Sequence, residues 1–78
     1  MPTVLRSGPY RLYWYAGDGH EPPHVHVERD DAVAKFWLDP VRLQVTAGFR
    51  PAELRRMQQI VETHPAQLLE AWHDYFDG

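Results

Sequence analysis

Residues 21–38 read Glu-Pro-Pro-His-Val-His-Val-Glu-Arg-Asp-Asp-Ala-Val-Ala-Lys-Phe-Trp-Leu, and their pattern decides the fold. From Pro23 to Arg29 the side chains alternate: Val25 and Val27 fall on one side of an extended strand, and His24, His26 and Glu28 fall on the other. Asp30-Asp31 suits a two-residue hairpin connection. Counting outward from it pairs Arg29 with Ala32, Val27 with Ala34, Val25 with Phe36, His26 with Lys35 and His24 with Trp37. Apolar partners then share one face and polar or aromatic partners the other, an agreement that a slip of one residue would destroy.

Toward the N-terminus, Ser7-Gly8-Pro9 marks a turn between a short strand, Thr3 to Arg6, and a longer one, Tyr10 to Ala16. The longer strand puts Tyr10, Leu12 and Trp14 on the core face and Arg11, Tyr13 and Tyr15 on the opposite face, with Gly17 to Pro23 as the main loop. Toward the C-terminus, Asp39-Pro40 suits the first two positions of a type I turn leading to a last strand, Arg42 to Thr46, with Leu43 and Val45 inward. Composition changes near Gly48. Pro51 fits a first helical position, Glu53 complements the helix dipole, and Leu54, Met57, Ile60 and Val61 form an apolar stripe. His64-Pro65 ends that helix and starts a second, lined by Leu68, Leu69, Trp72, Tyr75 and Phe76. Strands therefore span about 3–46 and helices about 50–63 and 65–76. The expected class is α+β: a small antiparallel β-meander of four to five strands with a C-terminal helical hairpin packed on the valine face.

The 78 residues allow one domain, 1–78. Absence of cysteine removes disulfides, thiolate metal sites and cysteine nucleophiles together. With 44% hydrophobic and 13% aromatic residues the composition is that of a packed core, unlike a disordered chain. A net charge of −3 supplies no global positive field for nucleic acid. The opening residues lack the apolar stretch of a secretory signal and no segment is long enough to span a membrane, so the expected location is the cytoplasm.

Three of the five histidines, His20, His24 and His26, fall within seven positions. On a strand His24 and His26 project in parallel about 7 Å apart, near enough for both imidazoles to reach one metal or one scissile group. A metal site would use His24 and His26 with His20 or Glu28 as third ligand, zinc being the natural divalent ion. An acid-base site would need no cofactor: His24 or His26 moves the proton, Lys35 stabilises an anionic phosphorane, and Arg11, Tyr13, Tyr15 and Trp37 contact phosphate or bases. That set suits RNA cleavage through the 2′-hydroxyl. Arg55 and Arg56 give the first helix a basic end that offers further phosphate or partner contacts. Against a nuclease, Asp18, Glu21, Glu28, Asp30 and Asp31 make the loop and hairpin acidic. The plain alternative is that the histidines decorate a solvated face.

Four stretches carry a family resemblance: Met1-Pro2-Thr3-Val4, EPPHVHVE from Glu21 to Glu28, AKFWLD from Ala34 to Asp39, and LLEAWHDYF from Leu68 to Phe76. Over nearly its whole length the chain resembles the small bacterial family called domain of unknown function 4160, whose PPHxHV block stands as Pro22-Pro23-His24-Val25-His26-Val27. The resemblance implies a cytoplasmic prokaryotic protein, often encoded beside a small protein of the family called domain of unknown function 2442 and sometimes described as the toxin of a toxin–antitoxin pair. It carries over no catalytic residue. The expected function is thus a type II toxin cleaving RNA with a His and Lys face, and the alternative is a non-enzymatic module docking a partner protein or metal through its histidine face. The expected partner is a small antitoxin-like protein, with RNA as the other candidate.

Overall fold

The computed structural model describes residues 3–77; Met1 and Pro2, which open the first family stretch, and Gly78 lie outside the described residues. Five strands come first, β1 (Thr3–Ser7), β2 (Tyr10–Tyr13), β3 (His24–Arg29), β4 (Ala32–Leu38) and β5 (Val41–Ala47). Two helices follow, α1 (Pro51–Thr63) and α2 (Pro65–Phe76). The strands form one antiparallel meander in chain order, β1-β2-β3-β4-β5, so every pairing is between neighbours in sequence. The β3–β4 register is the one the alternation dictates: His24 with Trp37, Val25 with Phe36, His26 with Lys35, Val27 with Ala34 and Arg29 with Ala32.

Leu12, Trp14, Val25, Val27, Ala34, Phe36 and Leu38 from the sheet meet Met57, Val61, Leu68 and Trp72 from the helices in one core. Each such side chain contributes about 1.5–3 kcal/mol on leaving water, which is how so short a chain offsets its conformational entropy. Pro51 and Pro65 occupy helix starts, where a missing N–H costs nothing. An ion pair fixes helix to sheet: the Arg29 guanidinium donates through Nε and Nη2 to the two carboxylate oxygens of Glu53, at 2.8 Å each, and the Tyr10 hydroxyl donates to the same carboxylate at 3.1 Å. Among the described residues no helix is long and apolar enough to cross a membrane.

The structure departs from the sequence reading at three places. β2 ends at Tyr13, well short of Ala16, and Ala16–His20 forms a 3₁₀ turn. The cause is local: the Tyr15 N–H donates to Asp18 Oδ2 at 2.9 Å and the Asp18 N–H donates to the Tyr15 carbonyl at 3.0 Å, bonds that replace the ladder. In β5, Leu43 and Val45 are exposed, not inward. The register shifts so that Lys35 faces Val45 while Phe36 faces Leu43, which places one extra β5 residue against β4. Val45 therefore joins the face of Lys35, and Leu43 lies at the uncovered edge of the sheet. Finally, Leu38 pairs with Val41, so Asp39 and Pro40 are the two central residues of the β4–β5 connection and not the first two positions of a turn as expected.

Candidate functional site

The short β2 and the 3₁₀ turn swing Asp18 back over the start of β3. Gly19 makes the approach feasible, because a Cβ there would stand 2.6 Å from the Phe76 ring of α2. The loop is thus pressed onto the end of α2, and Asp18 is delivered to His24 and His26. Its Oδ2 lies 3.1 Å from Nε2 of His26 and 3.0 Å from Nε2 of His24. The ligand-capable atoms of Asp18, His24 and His26 all lie within 4.8 Å of one another.

The two histidines share a strand face but not an environment. His24 is fully buried, ringed by His26, Trp37 and Trp72. The alternative of histidines decorating a solvated face therefore fails for His24: the loop covers it and α2 reaches it through Trp72. Its Nδ1–H donates to the Pro22 carbonyl at 2.9 Å, since a carbonyl can only accept. The His26 side chain is 18% exposed, its ring stacked on Tyr13 and edge-on to Tyr15. Burial pulls the His26 pKa below the ordinary imidazole value despite Asp18, which favours the neutral ring. Burial alone would push the Asp18 carboxyl up, but the Tyr15 amide and both imidazoles outweigh it and hold it below the usual carboxylate range.

Tyr13, expected on the solvated face, is buried beneath the Arg11 guanidinium, whose carbon lies 4.3 Å from the ring centre. Burial, together with the neighbouring Tyr15 phenol, pushes the Tyr13 hydroxyl well above its ordinary pKa. Lys35 is no unassigned charge: its Nζ donates to Glu21 Oε1 at 2.6 Å and sits 4.8 Å from the Trp37 ring centre. That contact holds the Glu21 carboxyl below its usual value. Tyr13, Tyr15, His26, Val33, Lys35 and Val45 line a groove of about 230 Å³.

A family model described as a domain of unknown function, DUF4160, matches residues 10–73, which include every residue of this site. The chain belongs to the DUF4160 family. No curated protein and no solved structure matches it. In this DUF4160 chain the PPHxHV block has a visible local purpose: the Pro22 carbonyl orients His24, and the Pro23 carbonyl accepts the Leu38 N–H at 3.0 Å, extending the pairing of β3 with β4.

The remaining sequence candidates fall elsewhere. His20 stands outside the cluster, its side chain 75% exposed and its Nδ1–H given to the Gly17 carbonyl at 2.7 Å, so Asp18 takes the place proposed for it. Glu28, the other candidate third ligand, pairs with Arg11 across β2 and β3, its Oε1 accepting from Arg11 Nε at 2.6 Å. Arg55 and Arg56 are exposed on α1, in the helical layer on the far face of the sheet from Lys35. Asp18 and Glu21 are what sequence reasoning missed. Their only signal was two acids in a glycine-bearing loop just ahead of the histidines.

Proposed function

We propose that this DUF4160 chain is a small cytoplasmic docking module, one half of a toxin–antitoxin pair, which binds an antitoxin-like protein through the sheet face opposite the helices. The observation that carries this reading is the groove on that face. Tyr15 and Val45, 46% and 56% exposed, flank it with Val33, and apolar side chains gathered beside an open strand edge are the anatomy of a contact surface. Lys35, Glu21 and His26 supply a polar rim. β5 is an edge strand with no partner beyond it among the described residues, so an extended segment of the bound protein can add to the sheet there.

Histidine chemistry on RNA remains a second reading with one observation in its favour: His26 is partly exposed beside two tyrosines, where burial favours its neutral form, as a general base requires. It rests on His26 alone, because His24 is buried and Lys35 is engaged by Glu21.

Induction of the chain with and without a small protein of the family called domain of unknown function 2442, as the candidate antitoxin, tests both. Docking predicts that Tyr15→Ala weakens binding of that protein by about 2 kcal/mol, roughly thirtyfold, as expected for an aromatic anchor, and that Val45→Lys has a comparable effect. Wild-type affinity in both variants would remove the docking reading. Growth arrest abolished by His26→Ala with partner binding intact would move the assignment to the RNA-cleaving reading.

A further inference from the structure

Among the described residues two buried side-chain polar atoms lack a hydrogen-bond partner, Trp14 Nε1 and His24 Nε2. They differ in kind. The indole nitrogen carries a hydrogen and can only donate. In His24, Nδ1 is committed to the Pro22 carbonyl, and Nε2 is left buried without a hydrogen-bond partner. Asp18 Oδ2 lies 3.0 Å from that nitrogen without the alignment of a hydrogen bond, so Nε2 stays unsatisfied while Oδ2 accepts from the Tyr15 amide. A buried, unpaired polar atom is costly. Here the nitrogen lies beside a carboxylate and a second imidazole.

We propose that Asp18, His24 and His26 form a binding site for a first-row divalent transition-metal ion, with zinc the reference ion. Two imidazole nitrogens and one carboxylate oxygen are borderline donors, suited to zinc and its neighbours and poorly suited to calcium or magnesium. Donor atoms about 2.1 Å from a tetrahedral zinc stand about 3.4 Å from each other. The Asp18 contacts of 3.0 and 3.1 Å are close to that spacing, and all three donor atoms lie within 4.8 Å of one another. The outer contacts are those a metal ligand needs. The Pro22 carbonyl fixes the His24 tautomer, the Tyr15 amide holds the Asp18 carboxylate, and Tyr13 fixes the plane of His26. Three protein donors leave a position for water or an outside donor.

The site is independent of the docking reading, and its test does not involve the partner. Chelator-stripped protein is titrated with Zn²⁺ alone, following heat release and thermal midpoint, and with Co²⁺ alone, following visible absorption. Zinc raises the midpoint and cobalt gives the ligand-field bands of a four- or five-coordinate ion. Because His24→Ala empties a buried position, the variants are Asp18→Asn and His26→Gln. Loss of a direct ligand costs at least what loss of an outer-shell partner costs, so each weakens zinc binding by about tenfold or more. His20→Ala leaves it unchanged. No midpoint shift and no cobalt bands in the wild type would overturn the proposal. So would binding that survives Asp18→Asn but is lost in His20→Ala, since the ion would then be held elsewhere on the loop.

Discussion

His24 and His26 are two positions apart on one strand, and burial alone separates what each can do. His24 is enclosed by aromatic rings and held by one carbonyl, so truncating it opens a cavity and leaves the Pro22 oxygen without its donor. His24→Ala should cost about 2–4 kcal/mol, a large part of a small domain's stability. His26→Ala removes a partly exposed ring and should stay within about 1 kcal/mol. Urea unfolding of both variants in chelator checks the contrast; equal losses would mean that His24 is as accessible as its neighbour. Alternation in the sequence correctly puts both histidines on the same face, because parity is a property of the strand. What covers that face is a property of distant residues, Trp72 and the Asp18 loop, and no local pattern announces them.

At the scale of elements, β3 and β4 are legible because side-chain parity and turn length constrain each other, and the helices because Pro51, Pro65 and the apolar stripes agree. β5 is not, since a bulge reverses its facing from Val45 onward and Leu43, though opposite Phe36, lies exposed at the sheet edge. The 3₁₀ turn is equally hidden: it depends on one side chain, Asp18, choosing the Tyr15 amide. That turn meets α2 where Gly19 touches Phe76, the contact that sets the depth of the loop. Gly19→Ala should force the ring or the loop aside at a cost of about 1–3 kcal/mol, as for overpacking generally. Hydrogen exchange should locate the loosening at Tyr15 and Asp18. An unperturbed loop in the variant would show that Phe76 has room to turn away and that the contact does not position Asp18.

For the whole molecule, the sheet and the helical layer are joined by apolar packing and by one buttressed ion pair, Arg29 with Glu53. Arg29 holds the Glu53 carboxyl below its ordinary range, with the Tyr10 hydroxyl adding to the effect. A carboxyl whose folded pKa lies below its unfolded value stabilises the fold above the unfolded value, about 4.3 for Glu, and loses that contribution as pH falls through the folded one. In chelator, therefore, the Glu53 contribution should hold steady from pH 7 to about pH 5 and be lost on further acidification, while His26, whose pKa folding lowers, draws the midpoint of wild type and variant alike down below about pH 6.5. Glu53→Gln should lower the midpoint at pH 7, and the gap to wild type should narrow as pH falls, because protonation does to Glu53 what the substitution has already done. The pair is partly exposed, so added salt should shrink the gap at pH 7 as well. A gap that stays constant down to pH 3 would mean that Glu53 acts through its shape against Tyr10 and Arg29, leaving apolar packing alone to hold the helices to the sheet.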